Sequence, residues 1–141
     1  MIGQQMFYSS DALAGRDILV VEDEYFLADY ITSVIASVGG SFRGPFASAN
    51  DALAHLAQTN ELPKAATLNV KLTDGTSFPV ADELSRLGVP FVFITANNAT
   101  SLPDRFADCP NLAKPFAAYE VVQALVALLE GKPQHAAKAT G

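Results

Sequence analysis

The sequence is poor in cysteine, in basic residues and in long apolar runs, and each shortage excludes a class of protein. Cys109 is the one cysteine among 141 residues, so an intrachain disulfide is excluded and a reducing cytoplasm is expected. No apolar run approaches the roughly 20 residues that a membrane helix requires. Nine Lys and Arg against fifteen Asp and Glu give a net charge of −6, which argues against nucleic-acid binding. An acidic surface better suits a protein partner or metal cations.

Length and apolar content predict one folded domain. Half of the residues are hydrophobic and 17% are charged, which is enough apolar material for a core. We predict an N-terminal extension over residues 1–15, the folded domain over 16–131 and a disordered tail over 132–141. The first residues show no secretion leader, since they lack a basic start followed by an apolar core. His55 and His135 are far apart in sequence, so no metal site of the His and Cys type is expected.

Short branched apolar runs alternate with helical patterns along the chain. Strands are predicted at 17–21, 41–46, 65–70, 90–95 and 111–113. The first helix carries apolar residues from Phe26 to Val38 and ends at Gly39 and Gly40. Further helices are predicted from the cap Ser48 to Gln58, near 78–87, and through 121–129, whereas 99–108 is poorly patterned. Five strand–helix units predict an α/β fold, a doubly wound five-stranded parallel sheet covered by helices on both faces.

Ligands in such sheets bind where the strands end, at the carboxyl edge. Residues with polar chemistry follow four of the predicted strands: Glu22, Asp23 and Glu24 after the first, Asn69 at the end of the third, Thr95 at the end of the fourth, and Lys114 after the fifth. Carboxylates can hold Mg²⁺, and a hydroxyl and an ammonium can orient phosphoryl oxygens. "EDE" alone would equally suit the positive end of a helix. The whole set, in this order, predicts a site that handles a phosphoryl group.

Four motifs, "ILVVEDE", "LNVKLTDG", "FVFITA" and "AKPF", resemble the receiver domain of bacterial two-component response regulators. The resemblance runs from about Asp17 to Glu130 and implies a flavodoxin-like sheet of strand order 2-1-3-4-5. It implies a single-domain regulator, since no output domain is recognisable after residue 130. By position, the resemblance implies roles for six residues. At the metal it implies Glu22 and Asp23 as the acidic pair for Mg²⁺, Asn69 beside the cation, and the backbone carbonyl of Lys71 as a ligand. At the phosphoryl group it implies Asn69 at the phosphoacceptor position, Thr95 as the switch hydroxyl, and Lys114 as the phosphate-binding lysine.

Three residues depart from the pattern of that family. Asn69 stands where an aspartate is expected, and a neutral amide should not accept phosphate. This loss of one negative charge also predicts that Mg²⁺ binds weakly or not at all. Lys71 is interpreted either as a counter-ion to Glu22 or Asp23, or as a solvated loop lysine. Asn111 stands where the family carries a rotating aromatic residue, so the usual aromatic switch is expected to be absent.

Three functions remain open on the sequence. The first is a non-enzymatic, receiver-like signalling protein of a two-component phosphorelay that acts by phosphorylation-independent binding. Its expected partner is a sensor histidine kinase or a phosphotransfer protein, and a homodimer through the last helix is an alternative. The second is an ordinary phosphoacceptor captured in an inactive form with Asn69 in place of aspartate. The third is a flavodoxin-like binder of a small phosphorylated ligand, although the chain lacks a Gly-rich phosphate loop after the first strand.

Overall fold

A parallel sheet forms the centre of the computed structural model, which describes residues 9–96 and 102–131. Its five strands stand in the order β2-β1-β3-β6-β7, and the short strands β4 and β5 form a separate antiparallel hairpin. The strands are β1 (Asp17–Val21), β2 (Ser41–Phe46), β3 (Ala65–Asn69), β4 (Lys71–Leu72), β5 (Gly75–Thr76), β6 (Phe91–Thr95) and β7 (Asn111–Ala113). The helices are α1 (Tyr25–Ser37), α2 (Ala49–Gln58), α3 (Phe78–Leu87) and α4 (Ala118–Leu129).

The topology confirms the predicted fold class. With the hairpin set aside, the five sheet strands stand in the order 2-1-3-4-5, and every neighbouring pair is parallel. β1, β3 and β6 are almost completely buried, because helices cover both faces of the sheet. The carboxyl ends of the strands therefore meet at one edge, where the predicted site residues follow them.

The helices begin and end close to their predicted positions. Ser48 caps α2 as predicted, since its Oγ accepts a hydrogen bond from the backbone N–H of Asp51 at 3.0 Å. Gly39 follows α1 with a φ of 86°, a left-handed conformation that glycine adopts without steric cost. α4 begins three residues before the first apolar position of its pattern, at Ala118. Within residues 9–96 and 102–131, no helix combines the length and the apolar character needed to cross a membrane.

Two apolar cores lie on opposite faces of the sheet. One is built under α2 and α3 and contains the buried phenylalanines Phe91, Phe93 and Phe106. The other is built under α1 and α4 and includes Leu13, which is completely buried. The backbone N–H of Leu13 donates to the Val38 carbonyl at 2.8 Å, so described residues ahead of position 16 pack onto the domain. Residues 1–8 of the predicted extension and the whole predicted tail lie outside the described residues.

The position of Phe26 differs from the helical pattern that was read from the sequence. Phe26 was grouped with the apolar stripe of the first helix, but its side chain is 85% exposed. The face of α1 that is buried runs through Ala28, Ile31 and Ile35. At about 100° per residue, Phe26 points about 140° away from Ile31 and therefore faces outwards.

The connection from β6 to β7 contains no α-helix in its described part, residues 102–110. A single 3₁₀ turn, Asp104–Phe106, places the Phe106 ring within 6.2 Å of the rings of Phe78, Phe91 and Phe93. The short and irregular connection that the sequence predicted is confirmed for these residues, whereas 99–101 lie outside the described residues. One buried aromatic side chain thus fixes this segment on the sheet in place of a full helix.

Candidate functional site

The predicted site residues come together around a cavity of about 350 Å³ at the carboxyl edge of the sheet. Its lining consists of Asp23, Glu24, Asn69, Val70, Lys71, Thr95, Ala96 and Lys114. Hydrogen bonds between adjacent strands bring these residues side by side. The N–H of Val70 donates to the Ile94 carbonyl at 3.1 Å, and the N–H of Lys114 donates to the Thr95 carbonyl at 3.0 Å. Glu22 lies behind the lining, with 2% of its surface exposed.

The Asn69 amide is bound between the two acidic side chains. Its Nδ2 donates to Glu22 Oε2 at 2.9 Å and to Asp23 Oδ1 at 3.2 Å. Turning the amide over would direct a neutral carbonyl oxygen at two carboxylate oxygens, so the chemistry of the neighbours fixes this orientation. Asn69 therefore acts as a hydrogen-bond donor to Glu22 and Asp23, and its side chain provides no nucleophile.

Burial controls the ionisation of Glu22. Loss of hydration raises the pKa of the Glu22 carboxyl to about 7, against smaller opposing effects of the Glu24 backbone N–H and of Lys114. The N–H of Glu24 donates to Oε2 at 3.0 Å, whereas Oε1 has no hydrogen-bond partner in the described part of the chain. A carboxyl with this pKa carries only part of its negative charge near neutral pH.

Lys114 and Thr95 line the same cavity as Asp23 and Asn69. Lys114 Nζ forms an ion pair with Glu24 Oε1 at 3.0 Å, and both side chains retain contact with solvent. The Thr95 hydroxyl is buried, and no partner for it exists among residues 9–96 and 102–131. The Lys114 ammonium and the Thr95 hydroxyl thus lie at the cavity. The ammonium forms its ion pair with Glu24 and makes no hydrogen bond with Asn69.

Lys71 does not have the contact that one interpretation of the sequence gave it. Its side chain is exposed at the cavity, and it forms no ion pair with any described residue. The hypothesis that its ammonium neutralises Glu22 or Asp23 is therefore not supported, because the Asn69 amide makes these two contacts. The role predicted for the backbone carbonyl of Lys71 stays a prediction.

Comparison with solved structures places the whole domain among known proteins. The chain is 37% identical to SdrG from Sphingomonas melonis Fr1, over 84% of this chain and 98% of SdrG, with a TM-score of 0.70. A putative response regulator from Chloroflexus aurantiacus J-10-fl is 24% identical over 82% of this chain and 98% of its own, with a TM-score of 0.72. A response regulator receiver protein from Burkholderia phymatum is 24% identical over 82% of this chain and 95% of its own, with a TM-score of 0.72.

The chain belongs to the response-regulator receiver family. The two likenesses at 24% identity show the receiver fold alone, whereas the likeness to SdrG spans almost that entire protein at higher identity. No family profile matches the sequence, and no curated protein sequence matches it. The assignment therefore rests on the structural relatives together with the receiver-like motifs.

The receiver resemblance implies Mg²⁺, and the donors at the acidic pair do not fit this cation as they are arranged. Mg²⁺ requires oxygen ligands in near-octahedral geometry. Here an NH₂ group faces the two carboxylates that would bind it, and Glu22 is only partly ionised near neutral pH. In the described part of the chain, no three His, Cys, Asp or Glu residues are grouped so as to hold a metal ion.

Sequence reasoning missed Asp74, which anchors the loop that follows Asn69. Its carboxylate accepts hydrogen bonds from the backbone N–H groups of Ala49 at 2.8 Å and Asn50 at 3.0 Å, at the start of α2. These two bonds lower the pKa of the Asp74 carboxyl. Thr73 adds a hydrogen bond from its Oγ1 to the Ala47 carbonyl at 3.0 Å. The "TDG" triplet signals a turn, but nothing local in it indicates a distant helix as the partner.

Proposed function

We propose that this receiver is a single-domain signalling protein of a two-component phosphorelay and that it acts by binding proteins without being phosphorylated. The observation that carries the proposal is the Asn69 amide, which donates to both Glu22 and Asp23. One oxygen of each acidic side chain thereby accepts a hydrogen bond from inside the protein.

The chemistry of an amide supports this proposal. Formation of an acyl phosphate requires a carboxylate oxygen that attacks phosphorus. The nitrogen lone pair of Asn69 is delocalised into the carbonyl group, and both of its N–H bonds point at carboxylates. We therefore expect no phosphoryl transfer to this position and no enzymatic activity. A requirement for Mg²⁺ is also not expected, because the amide NH₂ group lies against one oxygen of each acidic side chain, where a cation would have to bind.

The proposed partner is a sensor histidine kinase or a phosphotransfer protein in the cytoplasm. The net charge of −6 favours a protein partner over nucleic acid. A receiver that occupies a kinase without accepting phosphate would compete with phosphorylatable receivers for the same partner. The effect on signalling would then depend on its concentration and affinity, and not on a phosphorylated lifetime.

A second function is favoured by the residues on the other side of the cavity. The Thr95 hydroxyl is buried without a partner in the described part of the chain, and Lys114 lies at the same cavity. Both are what the family uses on a phosphoryl group. An ordinary phosphoacceptor in which asparagine has replaced aspartate at position 69 would leave these two groups in place.

One experiment separates the two functions. The protein, the variant Asn69→Asp and the control Asn60→Asp are mixed with Mg²⁺ and acetyl phosphate, and their intact masses are recorded. Asn60 is exposed, so the control adds the same charge away from the cavity. The binding protein predicts no phosphate adduct on the unaltered chain or on the control. An adduct on Asn69→Asp alone supports the replaced phosphoacceptor, and an adduct on the unaltered chain refutes the proposed function.

A further inference from the structure

We infer that Lys71 is a site of covalent acylation by acyl phosphates, small molecules in which a carboxylic acid and phosphate form a mixed anhydride. The acyl group is transferred to Lys71 Nζ, and inorganic phosphate is released. The inference rests on the proposed function, because a receiver whose Asn69 accepts no phosphoryl group leaves such a molecule to react at its acyl carbon. It is carried by the place of Lys71 at the cavity and by the unpartnered hydroxyl of Thr95 there.

Lys71 presents its amine both to the cavity and to solvent. It follows Asn69 by two residues at the start of β4, its side chain is exposed, and it lines the cavity of about 350 Å³ together with Thr95 and Lys114. Its amine forms no ion pair with any residue in the ranges 9–96 and 102–131. A lysine amine on its flexible four-carbon stem is a nucleophile towards a carbonyl carbon once it has lost its proton. No carboxylate of the described chain therefore holds this amine away from a bound electrophile.

Two other groups at the cavity suit the phosphate end of an acyl phosphate. The Thr95 hydroxyl is buried, with 2% of the residue exposed, and lacks a hydrogen-bond partner among the described residues. Buried hydroxyls are nearly always hydrogen-bonded, so an oxygen of a bound phosphate would supply what Thr95 lacks. The Lys114 ammonium, fixed at 3.0 Å from Glu24 Oε1, adds a positive charge at the same cavity. Lys114 is thus placed to hold the phosphate, and Lys71 is left to attack.

The charge of the cavity lining does not exclude an anion. The protein as a whole carries a net charge of −6, but the lining balances Asp23 and Glu24 against Lys71 and Lys114. Asp23 accepts a hydrogen bond from the Asn69 amide, and Glu24 is paired with Lys114. Lys71 is the charged lining residue for which the described residues supply neither a side-chain hydrogen bond nor an ion pair. An anionic phosphate is therefore attracted towards the residue that reacts.

The transfer is balanced without a further reactant. The neutral Nζ attacks the carbonyl carbon, a nitrogen–carbon bond forms, and the bond from this carbon to the bridging oxygen breaks. The electron pair of the broken bond leaves with the phosphate, which also takes up the proton that Nζ loses. The products are an N-acylated Lys71 and inorganic phosphate, and no group is oxidised or reduced. Binding of the phosphate end raises the rate, because it holds the acyl carbon near the amine.

Acylation changes the charge at the carboxyl edge of the sheet. It removes the positive charge of Lys71, so the cavity lining keeps the Lys114 ammonium against the carboxylates of Asp23 and Glu24. A protein bound at this edge then meets a more acidic surface. The chain would in this way respond to the concentration of acyl phosphates without a phosphorylated residue.

The test compares two acetylating reagents on the full-length protein. The protein is treated with acetyl phosphate or with acetic anhydride in EDTA, and acetylation of each lysine is measured by digestion and mass spectrometry. Lys64 is the internal reference, since it is exposed and directly precedes β3, whereas Lys71 follows the opposite end of that strand. We expect the ratio of Lys71 to Lys64 acetylation to be at least about fivefold higher with acetyl phosphate, because acetic anhydride has no phosphate for the cavity to hold. An excess of inorganic phosphate should remove this preference.

Thr95→Val tests the phosphate contact with a side chain of nearly the same shape. It should reduce the preference of acetyl phosphate for Lys71. Thr67→Val is the matched control, since it removes another buried, unpartnered hydroxyl from the middle of β3 and should leave the preference unchanged. The competition by phosphate uses the unaltered chain, so it decides the inference even where a variant folds poorly.

Several results would overturn the inference. The same ratio of Lys71 to Lys64 acetylation with both reagents, a preference that phosphate does not reduce, or equal effects of Thr95→Val and Thr67→Val would each contradict it. These failures differ from a failure of the proposed function, because acetyl and phosphate adducts differ in mass. A phosphate adduct on the unaltered chain would refute the proposed function, and the acetylation ratio would still be measured on the same sample.

Discussion

Replacing Asn69 by aspartate should turn a pocket that is stable by itself into one that depends on cations. The amide nitrogen lies 2.9 Å from Glu22 Oε2 and 3.2 Å from Asp23 Oδ1, so the new carboxylate would lie against two others. Each fully ionised pair at this separation would cost about 5 kcal/mol at an effective dielectric constant of about 20. Protonation of Glu22 relieves much of this repulsion, because the pKa of Glu22 is already about 7.

The net change is therefore set by the lost hydrogen bonds and by the residual repulsion. The two donated hydrogen bonds, one to the buried Glu22 and one to the exposed Asp23, are worth about 1–3 kcal/mol each, so we expect Asn69→Asp to lose about 3 kcal/mol of stability at pH 7.5 without divalent cations. For a domain of this length that corresponds to a melting temperature lower by about 10 °C. The deficit should shrink at pH 5, where Glu22 is protonated and the repulsion between it and the new carboxylate is removed.

Thermal unfolding in EDTA and in millimolar MgCl₂ measures this effect. Asn69→Asp should gain stability on addition of Mg²⁺, while the unaltered protein and the exposed control Asn60→Asp should change little. If Asn69→Asp is as stable as the unaltered protein in EDTA at pH 7.5, then the amide is not what satisfies the acidic pair. If the melting temperature of the unaltered protein itself rises by several degrees with Mg²⁺, the conclusion that the acidic pair does not fit this cation is wrong.

Three further predictions concern groups around the site and in the core. Folding raises the pKa of Glu22 from 4.5 to about 7, so the native state binds a proton that the unfolded state has lost. The free energy of unfolding should therefore fall as pH rises from about 4.5 to 7, by at most about 3 kcal/mol. Urea unfolding at pH 5 and pH 7.5 measures this fall, and Glu22→Gln should remove it. Asp74→Ala should lower the melting temperature and speed hydrogen exchange in the first turn of α2, because the backbone N–H groups of Ala49 and Asn50 lose their acceptor. Unchanged exchange in this turn would contradict the view that Asp74 stabilises the start of α2. Phe106→Ala should lower the free energy of unfolding in urea by about 3–5 kcal/mol, since it leaves a cavity in a buried aromatic cluster. Phe42→Ala, at a partly exposed ring on β2, should lower it much less, and similar losses for both variants would refute the anchoring of residues 102–110.

Some features of the site were predictable because they depend on strand ends alone. Buried branched runs located β1, β3 and β6, and the topology of a doubly wound sheet then placed Asp23, Asn69 and Thr95 at one edge. The pairings within that edge were not predictable. Whether Lys71 or Asn69 satisfies the acidic side chains depends on side-chain directions that differ by a few ångströms, and no periodic pattern encodes them.

Exposure at the ends of helices was also decided by the tertiary structure. The apolar pattern of α1 includes Phe26, but this side chain points away from the face of the helix that is buried. Leu13, which precedes the first strand, is completely buried in the core that contains residues of α1 and α4. Asp74 belongs to this group as well, because its partner helix lies some 25 residues earlier in the chain.

The sequence by itself determined the parallel sheet and the chemical types that gather at its edge, because strand burial and chain connectivity are written in local residue patterns, and the resemblance to receiver domains implied the strand order. The tertiary structure alone decided three things: that the Asn69 amide satisfies Glu22 and Asp23, that Glu24 holds Lys114, and that the Phe26 side chain is left uncovered. The physical reason is that hydrogen bonds and burial at this edge join residues from β1, β3, β6 and β7. Their distances exist only after the strands have paired.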